Sequence, residues 1–469
     1  FTATSGTSNA GTANLTASNS GSTINMSSSA SGAYTITGGA GTDIITGGSG
    51  NDTIVIAISS EGNSDTVDGG TGSDTLQLSS GVHTLTTDNR LLNVETVKTH
   101  ADGSTVDLTN QTESFNITVG AGTDSLKGGG AADTINILNA GEGNSDTIDG
   151  GAGTDTVTVG GINTASTALD LDLNLTNIER FTFSEDETSD SNITFDFNGD
   201  VISRLTIGGD HTADKTLAFE DLGSGNIDIY YDGETGAADG DTTTFDRSSD
   251  TATDSADIFL TYGSVGTITM NDEETITVDS TASATEQAIT IVDLDASDAT
   301  SVTFTNDDAW DDGDIFSLTA NSIKTGATID FTGFIQSIGN AAANVDVAGS
   351  DGAPNTIGAH TFAEAASTAG FTAVATGKYT IKLGDNRTQT DHETVIDLGS
   401  SNTGADTIQF VNGATDATND LGVVLINNFN DAAGAIVNNR SLLDLSAFGI
   451  QSTSDLTITS EIGRASCRE

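Results

Sequence analysis

The residues best placed to do chemistry are eight aspartates held in a nine-residue pattern, G-G-x-G-x-D-x-U-x, where U is a large apolar residue. Residues 38–46 and 47–55 open the first block, 60–68 form a degenerate copy, and 69–77 close it. Residues 119–127, 128–136, 141–149 and 150–158 repeat the series, so that 38–78 and 119–159 align without gaps at an offset of 81 residues. The aspartates are Asp43, Asp52, Asp65, Asp74, Asp124, Asp133, Asp146 and Asp155. The glycines around them, among them Gly39, Gly41, Gly48, Gly50, Gly70, Gly72, Gly151 and Gly153, are expected to take positive φ and turn carbonyl oxygens inward. Val119 stands in place of a glycine, and Ala131 and Ala132 replace a glycine and a polar residue.

If successive turns alternate between the two sides of a coil, Asp43 stacks near Asp65, Asp52 near Asp74, Asp124 near Asp146 and Asp133 near Asp155. Carboxylates and carbonyls together make an all-oxygen cage, which suits Ca²⁺. Zinc would call for His or Cys, and these loops hold neither. Without the ion, each close pair repels by about 4 kcal/mol at an effective dielectric near 20. Metal binding is therefore expected to be coupled to folding. Gly/Asp-rich turns that bind no metal are the competing reading.

The elements that must position these turns are short strands. Val, Ile, Thr and Phe alternate throughout, as in 53–56, 193–197 and 302–304, punctuated by Gly, Asn and Asp. A helical period is confined to one short Ala-rich stretch, 362–369. A looser repeat begins with a Glu-containing segment: Asn93-Val94-Glu95, Asn177-Ile178-Glu179, and the run from Glu274. In each copy two further strands follow, which suggests three strands per turn of a β-solenoid. A meander or a Greek-key sandwich is the alternative topology. The expected fold class is all-β, with calcium-binding parallel β-roll and β-solenoid segments and additional β-rich domains.

Composition narrows the function. The 469 residues carry 68 acidic and 14 basic side chains, a formal charge of −54. So negative a chain repels phosphates, which excludes a basic nucleic-acid groove. It contains no apolar run long enough for a transmembrane helix. Such a body repels itself unless salt or a bound cation neutralises it. The first residue is Phe1, and no secretory signal is visible in the polar opening stretch. The final eight residues, with the single Cys467, read as a translated adaptor.

The nonapeptides resemble the RTX (repeats-in-toxin) β-roll. Residues 405–410, 425–430 and 443–449 are similar to the C-terminal module of RTX exoproteins, which in that family carries an uncleaved secretion signal. The resemblance implies Ca²⁺ as cofactor and type I export from a Gram-negative bacterium to the cell surface or medium. The Glu-containing repeats are similar to those of RTX-type surface-layer proteins.

No catalytic motif appears. His392-Glu393-Thr394-Val395-Ile396 lacks the second His of a zincin, and neither a nucleophile elbow nor a Walker loop occurs. His83, His100, His211, His360 and His392 read as solvated surface residues. The acidic loop 306–314 around Trp310, together with 239–241 and 349–352, is a second rank of calcium candidates.

The expected organisation is a polar arm at 1–30, a duplicated β-roll and solenoid region at 31–210, a central β-rich domain at 211–345, a C-terminal module at 346–460 and the tail 461–469. The arm is read either as disordered or as a strand that pairs with a neighbouring subunit. The expected function is a non-enzymatic, calcium-stabilised structural protein that assembles with itself into a surface layer, sheath or filament, with cell-surface polysaccharide as a further partner. The alternatives are a glycan-binding adhesin that uses Tyr230, Tyr231 and Trp310 as exposed handles, and a fragment of an RTX exoenzyme.

Overall fold

The computed structural model describes residues 1–305, apart from residue 30 and the segments 58–63, 138–145, 161–168, 185–191, 209–215, 233–241, 261–262 and 281–287. Beyond 305 it describes the backbone of strands lying between Ile315 and Asp444. Asp88–Arg90 forms a short 3-10 helix, and the other regular elements are strands. The stretch 362–369 is not the expected helix at its ends: Phe362 closes the strand Pro354–Phe362, and Thr368–Thr372 is again a strand. The residues between them lie outside the described set, as do the acidic loop 306–314, 239–241 and the tail.

The chain divides into two compact units, one of residues 1–206 with 220–223 and one of 207–219 with 224–469. The first unit is a parallel β-solenoid. On one face, Ser8–Thr16, Ser31–Thr37, Thr53–Ile56, Thr75–Leu78, Thr96–Lys98, Asn116–Val119, Thr134–Ile137, Thr156–Val159 and Arg180–Ser184 pair in sequence order, every pair parallel. The polar opening residues thus form part of this coil, with Ser8–Thr16 on Ser31–Thr37 and Thr23–Asn25 on Ile44–Thr46.

Two strands complete most turns. The expected third strand of each Glu-containing repeat begins the next turn instead, because Asn116–Val119 lies directly beside Thr96–Lys98. The opposite face is interrupted: two separate sheets are followed by the first strands of a third, Leu169–Asp172 and Ile193–Asp196. Thr23–Asn25, Ile44–Thr46, Thr66–Asp68 and Leu91–Leu92 form the first. Gly81–Thr84, Ser104–Asp107, Ser125–Lys127, Thr147–Asp149 and Asn174–Thr176 form the second. The second unit is likewise built of parallel pairs on two faces. One includes Asn226–Asp232, Ser255–Leu260, Thr275–Ser280 and Ser301–Thr305, and the other includes Thr242–Arg247, Gly263–Met270 and Ala288–Ala296.

Alternation explains the core. In Thr53–Ile56 the burial alternates, so Ile54 and Ile56 point inward. The register places Ile36, Ile54, Leu76, Val97, Ile117, Ile135, Val157 and Phe181 in one buried column. Toward the end of the unit the column widens into rings. Phe181 meets Phe195 edge-on at 5.0 Å and Phe197 at 5.1 Å, and Phe183 lies 5.4 Å from Phe195.

His83 occupies a core position beside Val106 and is fully buried, contrary to its reading as a surface histidine. Its Nε2 lies 2.8 Å from the Ser79 carbonyl oxygen, and burial holds its pKa below the ordinary value. A neutral imidazole fits there as a flat apolar filler with one polar contact.

Phe195→Ala removes the ring at the centre of the aromatic cluster. It is expected to lower the stability of the calcium-loaded protein by about 3–5 kcal/mol in denaturant titration. Val82→Ala, at a side chain 57 % exposed, is expected to stay within about 0.5 kcal/mol of the parent.

Candidate calcium-binding carboxylate ladders

Each nonapeptide aspartate precedes a short strand, and six of the eight follow a described glycine turn, so parallel pairing of the strands sets the aspartates above one another. All eight are buried, at 0–3 % exposure. The four expected pairs form, and they do so through one repeated bond in which the backbone N–H of one aspartate donates to Oδ1 of the aspartate a turn later. Asp43 donates to Asp65 at 2.8 Å, Asp52 to Asp74 at 2.7 Å, Asp124 to Asp146 at 2.7 Å and Asp133 to Asp155 at 2.7 Å. The preceding turn joins the same column, with Ser22, Tyr34, Ser104 and Phe115 N–H donating to Asp43, Asp52, Asp124 and Asp133.

The second carboxylate oxygen turns back to its own loop. Gly39, Gly48 and Gly129 N–H donate to Oδ2 of Asp43, Asp52 and Asp133 at 2.9, 2.5 and 3.0 Å. The turn in which Val119 replaces glycine uses a relay instead: the Thr99 hydroxyl donates to Asp124 Oδ2 at 3.2 Å and accepts from Gly120 N–H at 2.7 Å.

The glycines serve two separate ends. Gly41, Gly70, Gly72, Gly151 and Gly153 take positive φ, as expected. Gly39, Gly48 and Gly50 do not, which corrects the expectation for those three. At Gly39 and Gly50 the requirement is space, since a Cβ would strike the carbonyl oxygens of Ser18 and Gly32 in the adjacent turn. A Cβ on Gly72 would stand 2.6 Å from Gly50 O, and one on Gly153 would stand 2.6 Å from Ala131 O, so carbonyls of successive turns are stacked beside the carboxylates.

The last rung of each roll is different. Asp74 N–H donates to Glu95 Oε2 at 2.7 Å, and Asp155 N–H donates to Glu179 Oε2 at 2.8 Å. The glutamates end the columns, a role the sequence reading did not assign them. The second unit repeats this arrangement. Asp254 N–H donates to Glu274 Oε2 at 3.1 Å, while Asp254 accepts Gly225 N–H on Oδ1 and Thr251 N–H on Oδ2. Beside it, Arg247 forms a buried two-point ion pair with Glu273 at 2.8 and 3.1 Å. Burial pushes the Asp254 pKa up, but its N–H bonds and the Arg247 charge outweigh that and leave it lowered.

In the rolls the balance runs the other way. Burial raises Asp52 and Asp133 despite two backbone hydrogen bonds each. Asp74 and Asp155 are pushed up to about 6, first by burial and then by the neighbouring carboxylates Asp52, Glu95 and Asp68, or Asp133, Glu179 and Asp149. The side-chain oxygens Asp74 Oδ2 and Asp155 Oδ2 are buried and have no hydrogen-bond partner. Among the described residues no three His, Cys, Asp or Glu side chains gather into a metal cluster. The available donors are carboxylate pairs with stacked carbonyls, all oxygen, and this donor set fits a hard divalent cation.

The fold and these columns define a parallel β-roll built on buried carboxylate ladders. The chain carries RTX-type repeats: the family model for the RTX calcium-binding nonapeptide repeat matches it in four copies, over residues 32–54, 58–82, 116–144 and 135–161. In comparisons with curated proteins and with solved structures, nothing matches. RTX repeats as a class bind calcium, and proteins that carry them are typically secreted. Among the described residues no helix is long and apolar enough to cross a membrane.

The raised carboxylates set a pH dependence for the calcium-free protein. A carboxyl whose pKa lies near 6 in the folded state and near 3.9 unfolded makes the native state bind more protons across that window, so stability falls as pH rises. In chelator, the melting temperature is expected to drop between about pH 4 and pH 6.5. Saturating calcium is expected to reverse the slope, because the ion binds the deprotonated ladder. Melting curves across pH, with and without calcium, check both signs.

Proposed function

We propose that this chain is a secreted, calcium-stabilised structural protein that assembles with copies of itself into a surface layer, sheath or filament. The observation that carries the reading is the burial of eight aspartates in stacked columns in a chain with 68 acidic and only 14 basic residues. A bound cation in the rolls resolves that conflict without any catalytic function. The ions are held by Asp43, Asp52, Asp65, Asp74, Asp124, Asp133, Asp146 and Asp155 together with the carbonyls of the glycine turns.

The same charge governs association. Copies with a formal charge of −54 repel one another until divalent cations screen or bridge them. Parallel strand edges then offer backbone donors and acceptors to a neighbour. The export route in this reading is type I secretion from a Gram-negative bacterium, with cell-surface polysaccharide as the anchoring partner.

One observation favours the adhesin reading. Tyr230 and Phe259 stack at 4.4 Å on adjacent strands and are half-buried, a paired aromatic patch that a sugar ring could pack against. Tyr231, named with Tyr230 as an exposed handle, is 2 % exposed and belongs to the core. Trp310 lies outside the described residues.

Electron microscopy of the purified chain tests the proposal. Sheets, tubes or filaments are expected in millimolar calcium and are expected to disperse in chelator. Dispersed single particles under both conditions would rule out self-assembly.

A further inference from the structure

Each roll ends on a short motif that the nonapeptide pattern does not contain. Asn93-Val94-Glu95 and Asn177-Ile178-Glu179 both lie outside the segments matched by the repeat family. In both, the asparagine takes the left-handed conformation, at φ 51° and 53°. Its side chain is fixed: Asn93 Nδ2 donates to Asp68 Oδ1 at 2.7 Å, and Asn177 Nδ2 donates to Asp149 Oδ1 at 2.7 Å.

That brace redirects a glycine N–H. Asp68 and Asp149 also accept Gly70 and Gly151 N–H, at 3.1 Å each. In the earlier turns of the same columns, the corresponding glycines Gly48 and Gly129 donate to the ladder aspartate itself. In the two columns that run on to these glutamates, the last aspartate keeps an oxygen without a hydrogen-bond partner, Oδ2 of Asp74 and of Asp155, on side chains 1 % and 0 % exposed. The asparagine carbonyl takes the place that the Gly69 and Gly150 carbonyls hold beside Asp52 and Asp133 around Gly47 and Gly128. Asp74 Oδ2 lies 2.6 Å from the point a Cβ on Gly69 would occupy, and the Asn93 carbonyl oxygen is closer still to that point. Around Gly150 the pair is Asp155 Oδ2, at 2.7 Å, and the Asn177 carbonyl oxygen. A buried carboxylate oxygen and a main-chain oxygen thus converge in the gap a glycine leaves open, with a glutamate carboxylate in the adjoining rung.

We propose that each Asn-x-Glu motif closes its roll as an additional divalent-cation site. Asp74 Oδ2, the Asn93 carbonyl and Glu95 form one; Asp155 Oδ2, the Asn177 carbonyl and Glu179 form the other. Donors that are all oxygen select a hard cation, and calcium is the ion they fit. The proposal rests on the reading that this chain binds calcium in its rolls. The second unit supplies a contrast, since Glu274 accepts from Asp254 as Glu95 does from Asp74, yet both Asp254 oxygens already accept backbone N–H groups. A cation-binding glutamate is thereby distinguished from one that only ends a column.

The test is a count of bound calcium on the full chain by equilibrium dialysis, comparing the parent, E95Q/E179Q and E274Q. Glutamine keeps an oxygen for the aspartate N–H but removes the charge. E95Q/E179Q is expected to lose one calcium for each motif, and E274Q none. In chelator, the melting temperature of E95Q/E179Q is expected to match or exceed that of the parent, since a repelling charge is gone. Single variants, each expected to lose one ion, carry the test should the double variant fail to fold. A calcium count and affinity equal to the parent's overturns the proposal, and so does an equal loss in E274Q. A parent chain that binds no calcium overturns the calcium reading of the rolls and this site with it.

Discussion

The first unit depends on one constraint: strands of successive turns stay in parallel register, and this lays a backbone N–H of one turn on the carboxylate of the next. The pairing of Ile54 with Leu76 and the bond from Asp52 to Asp74 are two readings of the same register. A slip by one residue would expose the apolar column and misplace every rung at once. Packing and electrostatics are therefore locked together, and the acidic column is buried because the hydrophobic one is. Burying a charge is costly unless it is compensated. Backbone N–H groups supply part of that compensation, and the raised pKa values of Asp74 and Asp155 show that they do not supply all of it.

The second unit meets the same difficulty differently. Around Asp254, the guanidinium of Arg247 and two N–H bonds provide the compensating charge and donors, and the carboxyl pKa falls instead of rising. The ladder geometry thus carries its own internal cation there. The chain spends one of its few arginines where the nonapeptide pattern is absent.

Much of the fold could be read from the sequence, because period and chemistry coincide there. The glycines and aspartates of 38–78 and 119–159 locate the turns, and the four aspartate pairs follow from alternation alone. What escaped notice depends on the third dimension. Glu95 and Glu179 precede strands and look like solvated charges; only stacking shows that their longer side chains reach the aspartate N–H where the nonapeptide has ended. His83 lies between Val82 and Thr84, and its inward direction comes from its register with Val106. Tyr231 is buried while Tyr230 is half-buried because strand residues alternate between faces. The count of three strands per turn went astray because a sequence triplet carries no mark of where a coil closes.

The two faces of the first unit differ in continuity. On one, backbone pairing runs unbroken from Ser8–Thr16 to Arg180–Ser184. On the other, the sheet that ends at Leu91–Leu92 and the sheet that begins at Gly81–Thr84 do not join. At that seam the cross-section is held by a backbone ladder on one side and on the other by packing and isolated side-chain bonds such as those of Thr112 to Asp88. Bending stiffness is therefore lowered there and unequal in direction: the coil yields by opening the interrupted face while the continuous face acts as a strap. The duplicated rolls are in this sense two stiff segments joined by a one-sided hinge.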